Sequence, residues 1–236
     1  MRRRFFVDQV RNGHAQISGD EARHLTRVLR IDTGQRYEIS DNRNVYLAEV
    51  ESARKEHVIF RTLEKLAAPA PAPHLILLVA LFKFDRFEWM IEKATELGVG
   101  EIVPVETIRS ERGLERAALK RLDRWRKIAL ESSQQSRRAH LPQILEPIPL
   151  DEAIQSTATY RIALDEDPAA APLTAPAIAP SESAAILTGP EGGWTDEERT
   201  KIGESGWTRV SLGPLILRAE TAAIAALAIL GRAAAH

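Results

Sequence analysis

Residues 187–198 read LTGPEGGWTDEE, and residues 212–223 read LGPLILRAETAA. In both, an apolar run ends in a Gly-Pro pair, Gly189-Pro190 and Gly213-Pro214. Glycines between a strand and a helix let a ligand approach the backbone closely, and the familiar ligand there is a phosphate. The following helix start argues otherwise. Thr195 and Glu198 stand at capping-box spacing, and Asp196 and Glu197 fill the first turn. Such a helix has satisfied and neutralised its own N-terminus, so a phosphate would meet carboxylates. The chain also lacks G-x-x-x-x-G-K-[ST] and a G-x-G-x-x-G following a strand; Gly98-Val99-Gly100 precedes one. The loops therefore suit a neutral ring or a cationic ligand, with two ordinary tight turns as the bland alternative. A branched side chain at Gly192 is expected to block the backbone approach.

Other chemistry is thinly represented. There is no cysteine, which removes thiolate nucleophiles, disulfides and Cys-based zinc sites together. The six histidines (14, 24, 57, 74, 140 and 236) show no paired ligand spacing, so no metal is expected. No G-x-S-x-G elbow is present, and Ser132 and Ser133 read as polar helix positions. The net charge is −1, but from Arg112 to Arg138 nine Lys or Arg face three acids. That asymmetry fits a face for a polyanion and fits a solvated helix laced with i,i+4 pairs equally well. The amino-terminal residues have no signal-peptide core, and the longest apolar runs are too short for a bilayer, so a cytoplasmic protein is expected.

The elements that must position these loops fall into two groups. Residues 1–66 read as short strands around one helix, Asp20 to Leu29, with Leu25, Val28 and Leu29 on one face; a small β-barrel is the natural packing. The AAPAPAP run at 67–73 is a stiff linker, giving domains at 1–70 and 74–236. Beyond it, strands alternate with helices, which implies a mainly parallel sheet covered on both faces. Pro104 in EIVPV points to an edge or a strand end. A long basic helix is expected from Leu114 to about Gln135, with Ala118, Leu122, Trp125 and Ala129 as its apolar stripe. Residues 168–180, rich in Ala and Pro, read as a surface loop. Ligands of open parallel sheets settle beyond the carboxyl ends of the strands, so the two Gly-Pro loops are expected to wall one pocket.

These motifs carry a resemblance. LTGPEGGWTDEE with LGPLILRAETAA is similar to the paired signature of the SPOUT methyltransferases, and specifically of the ribosomal RNA small subunit methyltransferase E family. HLTRVLR, EKATELGVGEIVPVETIRS and SSQQSRR…LPQI extend it along the chain. The resemblance implies an α/β fold: a PUA-like β-barrel, then a SPOUT-type parallel sheet with a C-terminal trefoil knot. It also implies homodimers, S-adenosylmethionine held in the knot, and methylation of a uridine N3 in 16S rRNA, free or within the small subunit or its precursor. Leu215 departs from it, standing where the family usually has arginine.

By resemblance, Leu187, Thr188, Gly189, Pro190, Glu191, Gly192 and Gly193 form one wall of the cofactor site. Leu212, Gly213, Ile216, Leu217 and Arg218 form the other, with Thr221 and Ala222 just behind and Leu164 at the methionine side. Leu187, Leu212 and Leu217 would sandwich the adenine. Arg218 is the first candidate for stabilising charge on a uridine carbonyl, and a salt bridge to Glu220 or Glu191 is its structural alternative. Glu191 stands as a possible base, a cofactor-orienting group or a turn cap. Candidate RNA contacts are Arg2, Arg3, Arg4, Arg23, Arg27, Arg30, Arg109, Arg137 and Arg138, on single-stranded or looped RNA. The helix from Ala222 to Leu230 is apolar all round and must be buried, in a core or a dimer seam. The rivals are a SPOUT enzyme with another RNA target, a non-enzymatic RNA binder with a vestigial pocket, and a dinucleotide enzyme.

Overall fold

In the computed structural model, residues 3–67, 70, 72–167 and 169–233 are described. The chain forms two compact units, one of Met1–Ala70 with Ser133–Leu141, the other of Pro71–Ser132 with Pro142–His236.

The first unit contains β1 (Arg4–Phe6), β2 (His14–Ser18), α1 (Gly19–Arg27), β3 (Arg36–Ser40), β4 (Val45–Arg54) and β5 (His57–Lys65). They make a five-stranded sheet in the order β1-β3-β4-β5-β2, so β1 and β2 are edges rather than the seam of a closed barrel. Two register shifts between β4 and β5, at Leu47/Ala48 and Val50/Ser52, bend the sheet. Alternate residues of the strands, Phe5, Ala15, Ile17, Ile39, Val58 and Phe60 among them, bury against Ala22 and Leu25 of α1. The expected helical face is shorter than its sequence pattern. The helix stops at Arg27, and Val28, as its C-cap, turns outward and is 64% exposed.

The linker at 67–73 puts Ser133–Leu141 in the second domain, yet this segment packs in the first unit. Polar contacts far apart in sequence hold it there. Ser40 donates to the Ala139 carbonyl at 2.6 Å, Leu141 N–H donates to Asn42 Oδ1 at 2.7 Å, and Gln134 donates to Glu21 at 2.9 Å. Periodicity reports only neighbours along the chain, so no local pattern signals this return.

The second unit runs β6 (His74–Ala80), α2 (Phe84–Glu96), β7 (Glu101–Glu106), α3 (Leu114–Leu119), α4 (Leu122–Gln135), β8 (Gln143–Ile144), β9 (Ile148–Pro149), α5 (Leu150–Ala153), β10 (Tyr160–Leu164), β11 (Ala171–Pro172), β12 (Ser183–Thr188), α6 (Asp196–Glu204), β13 (Thr208–Ser211) and α7 (Ala219–Ala233). The sheet order is β11-β13-β10-β12-β6-β7-β8, with β9 also on β7, and every pair is parallel. Both faces are covered. Leu77, Val79, Ile102, Ile162 and Ile186 pack towards α2, α4 and α7; Leu78, Val103, Val105, Ala163 and Leu187 join the opposite core with Ile154 and Ile202. The period-two alternation sends successive residues to opposite layers.

Two expectations are corrected here. Pro104 lies inside the sheet, opposite Val79, and not at an edge. Leu145 N–H bonds the Ile102 carbonyl at 3.0 Å, so by alternation Pro104 turns its nitrogen to that same side. There β8 pairs only Glu101 and Ile102, while β9 pairs only Val105 and Glu106. The missing N–H falls in the gap between them, where no ladder bond is lost. The long basic helix is two helices, broken at Lys120-Arg121. Its apolar stripe nevertheless survives the break, with Ala118, Leu122, Trp125 and Ala129 all buried. Trp125 stacks on Phe87 at 4.7 Å and meets Phe84 edge-on at 5.6 Å. Trp125→Ala is expected to cost about 3–5 kcal/mol, read as a lower urea midpoint with an unchanged slope.

Candidate functional site

The strand order sets the site. The chain passes from β10 to β12, which inserts between β10 and β6, and then out to β13 beyond β10. Three neighbouring strands, β13, β10 and β12, therefore release their carboxyl ends side by side. A cavity of about 340 Å³ opens there, within the range typical of small-molecule sites. Both Gly-Pro loops wall it, as the residue pattern implied.

The first wall is a turn stiffened from behind. Thr188 ends β12 almost wholly buried, and its Oγ1 has no hydrogen-bond partner among the described residues. Gly193 N–H closes the turn on the Pro190 carbonyl at 2.9 Å, and Gly193 itself has φ +68°, which favours glycine. Trp194 is buried against the opposite core and donates its indole N–H to the Leu164 carbonyl at 2.9 Å. That bond ties the end of β10 to the loop after β12.

The capping box forms as its spacing implied. Thr195 Oγ1 accepts Glu198 N–H at 3.1 Å, and Glu198 Oε2 accepts Thr195 N–H at 2.9 Å. Its second oxygen accepts Ile108 N–H at 2.8 Å, so one buried carboxylate fixes α6 and the strand-end loop of β7 together. Arg109, next to Ile108, donates to the Gly192 carbonyl at 2.6 Å. Gly192 does not line the cavity, and a β-carbon there would meet only the flexible Arg109 chain, 3.4 Å away. A β-carbon at Gly193 would collide with the end of the flexible Glu166 side chain, whereas one at Gly189 would stand 3.0 Å from the rigid Trp194 ring.

The second wall follows β13. Ser211 Oγ bonds both the N–H and the carbonyl of Gly213, whose φ is +123°. Leu215 and Ile216 are then 77% and 82% exposed, and Arg218 is exposed just before α7. Of the other proposed cofactor contacts, Leu164, Pro190, Glu191, Leu212, Leu217 and Ala222 also line the cavity. Leu187 is wholly buried in the core below, and Thr221 faces a neighbouring hollow with Trp89 and Glu220.

Charge around the mouth is arranged by a residue that no motif singled out. Arg86, on α2, donates to Glu191 at 2.6 Å and lies 4.0 Å from Glu220. Both carboxylates considered as partners for Arg218 are thus turned to Arg86. Arg218 makes no ion pair among the described residues, so the salt-bridge alternative does not form. Asp165 and Glu166, directly after β10, line the same cavity. Asp165 is held by Arg209 at 2.8 Å and Arg199 at 3.4 Å. The carboxyl-end rule that located the two glycine loops also covers Asp165 and Glu166; Arg86 carried no such signal. Among the described residues no cluster of His, Asp and Glu could hold a metal.

The RNA methyltransferase domain model matches residues 69–231, and the RNA methyltransferase PUA domain model matches residues 17–63. The ribosomal RNA small subunit methyltransferase E of Bacillus subtilis is 30% identical, over 89% of this chain and 87% of its own. This chain belongs to the ribosomal RNA small subunit methyltransferase E family. Its relative from Aquifex aeolicus is 28% identical over 95% of this chain and 97% of its own. A crystal structure of the family's protein from Neisseria gonorrhoeae, bound to S-adenosylmethionine, superposes with a TM-score of 0.85. The identity is 29%, over 97% of this chain and 96% of that one.

In this member of the methyltransferase E family, Arg109 is bonded to the Gly192 carbonyl, and the other described arginines expected at RNA divide into two sets. Arg4 and Arg137 converge on Glu38, Arg4 at 2.7 Å, and Arg4 also donates to the Arg137 carbonyl at 2.6 Å. Arg23 pairs with Asp20 and Glu56. Arg138 is half-buried and donates to the His140 carbonyl at 3.0 Å. These four have structural work within the first unit. Arg27 and Arg30 are exposed, Arg3 is half-buried, and none makes an ion pair among the described residues. Arg2 lies outside the described residues. No helix among the described residues is long and apolar enough to cross a membrane.

Proposed function

We propose that this chain uses S-adenosylmethionine to methylate N3 of a uridine in 16S rRNA of the small ribosomal subunit. The observation that carries the reading is one cavity, beyond three parallel strand ends, walled by both Gly-Pro loops and bearing Arg218, which makes no ion pair among the described residues. The residues fit the cofactor. Thr188 offers a buried hydroxyl with no partner among the described residues, and Leu212, Leu217 and Ala222 offer apolar walls for a neutral ring. Asp165, Glu166 and Glu191 place three carboxylates around the rest, beside Arg86 and Arg218. When bound, S-adenosylmethionine supplies an electrophilic methyl group on a sulfonium sulfur.

The chain's own work is to orient and to polarise. Thr188, Gly189, Pro190, Glu191 and Gly193, with Leu212 to Leu217, would hold the donor in place. Arg218 donates to a uridine carbonyl oxygen and so stabilises the imide anion left when the N3 proton passes to water. Arg86 keeps Glu191 and Glu220 from neutralising that guanidinium. The first unit is read as the RNA-binding PUA-like domain, with Arg3, Arg27 and Arg30 at the phosphate backbone. Residues 74–236 are read as the SPOUT domain with its trefoil knot, the insertion of β12 between β10 and β6 being consistent with such threading. A second copy is the natural cover for Leu215 and Ile216 beside the cavity, so the protein is read as a dimer. Cytoplasmic location accords with this substrate.

S-adenosylmethionine is expected to bind the purified protein, and NAD and ATP are not. At about 100 times its Kd it adds roughly 2.7 kcal/mol to folding stability. Calorimetry and melting curves check this, and mass analysis of small-subunit rRNA with and without the gene checks the target. An absence of heat and of any melting shift at millimolar S-adenosylmethionine would overturn the reading.

A further inference from the structure

The break between α3 and α4 creates a feature that an unbroken helix would not have. A continuous helix would carry Arg116, Lys120 and Arg124 as one solvated stripe, each four residues from the next. Instead α3 ends at Leu119, Arg121 N–H closes on the Ala118 carbonyl at 2.8 Å, and α4 restarts at Leu122. A shallow hollow results, entirely within the second unit and separate from the cofactor cavity. Its floor is Gly113 and Ala117, which leave room, and its wall is the Phe84 ring. Its rim is four cations: Arg116, Lys120, Arg121 and Arg124.

Two of the four are held in fixed orientations. Arg121 Nη1 and Arg124 Nε donate to the same oxygen of Glu88, at 2.9 and 2.8 Å. Arg121 also lies over Phe84, with its Cζ 4.9 Å from the ring centroid. Glu88 is mostly buried, and the hydrogen bond from Arg124, joined by that from Arg121, holds its carboxyl below the usual range. It is a permanent anchor at neutral pH. Each guanidinium has five N–H donors, so this anchoring leaves most of them for another acceptor. Lys120 makes no ion pair among the described residues, and Arg116 is 90% exposed with its Nε 3.8 Å from Glu115. Four cations against two carboxylates leave the hollow positive.

We propose that this hollow is a docking subsite for the backbone of the substrate RNA, receiving a phosphodiester group on the cationic rim beside the Phe84 wall. The proposal rests on the reading of the chain as an rRNA methyltransferase and names a surface outside its cofactor cavity. Preorganised guanidinium forks match phosphate oxygens. A flat ring beside them matches the base or ribose that accompanies each phosphate in a single strand. An acidic protein segment would use the charges and leave the ring idle.

The test reverses the two rim cations outside the Glu88 anchor, Arg116→Glu and Lys120→Glu, singly and together, in the full-length protein. Lys127→Glu is the control, being an exposed residue of α4 outside the hollow. Affinity for a 16S rRNA fragment is measured across a range of KCl, with KM for RNA, S-adenosylmethionine affinity and melting temperature on the same samples. Each lost contact is expected to reduce the log–log salt slope by roughly 0.7. KM for RNA rises several-fold in the double variant, and cofactor affinity and melting temperature stay at the wild-type values. A double variant with the slope and KM of Lys127→Glu overturns the proposal. So does normal action on free rRNA with loss only on the assembled subunit, which would assign the hollow to a ribosomal protein. Cofactor binding and methyl transfer by the wild type are measured in parallel. Their absence would sink the methyltransferase reading, while the slope comparison still decides whether the hollow holds RNA.

Discussion

Arg218→Ala is expected to leave S-adenosylmethionine affinity within a few-fold while the single-turnover methylation rate falls by about 10² to 10³, the usual loss for one preorganised donor to a developing charge. The expectation stands on three facts about this side chain. It lines the cavity, it is exposed at the start of α7, and it makes no ion pair among the described residues. Glu191 and Glu220, the acids that would otherwise occupy it, face Arg86 instead. Loss of a partnered arginine would strand a carboxylate and lower stability and cofactor affinity together; loss of an unpartnered one should spare both. Arg218→Lys should restore only part of the rate, because it keeps the charge and loses the planar fork. Rate, melting temperature and cofactor affinity are read on the same samples, and a surviving rate removes Arg218 from the chemistry. Arg86→Ala makes the complementary case. It should free Glu191 to compete for Arg218 and slow turnover, and adding Glu191→Gln should recover part of the loss.

Gly189→Val should lower S-adenosylmethionine affinity by about 5- to 150-fold. That figure is the roughly 1–3 kcal/mol cost of overpacking a filled site, converted at about 1.4 kcal/mol per tenfold. The first added carbon would already stand 3.0 Å from the Trp194 ring. Trp194 cannot retreat, because it is 2% exposed, packed in the core with Leu187 and Ile202, and bonded to the Leu164 carbonyl. The loop must move instead, and with it the cavity wall from Gly189 to Glu191. Gly192→Val, the position that looked critical from the glycine pattern, should have a much smaller effect. Its nearest neighbour is the Arg109 side chain, which is exposed and can swing aside. Calorimetric titration of the two variants side by side checks this, and equal affinities would show that Trp194 is no rigid backstop.

What could be read along the chain was whatever rests on local chemistry. The two Gly-Pro strand ends, the Thr195–Glu198 capping box, the apolar stripe from Ala118 to Ala129 and the shift from short strands to strand–helix alternation depend on residues within a turn or two of each other. Their physics is written in spacing, and the folded chain keeps all four. The motif pair also placed most of the cavity wall, because loops that leave neighbouring parallel strands must meet at one end of the sheet.

The rest required strands to find partners. Pro104 reads as an edge residue until β8 and β9 leave a gap opposite its nitrogen. Ser133–Leu141 reads as part of the second domain until Ser40 and Asn42 draw it to the first unit. Arg137 reads as a free cation until Glu38 pairs with it. Arg86 carries no motif, yet it settles which acids remain near Arg218, from a helix some 105 residues before Glu191. Each of these turns on which charges and hydrogen-bond donors meet across the fold. Burial and pairing at long sequence separation are properties of the assembled sheet, and composition and periodicity do not contain them.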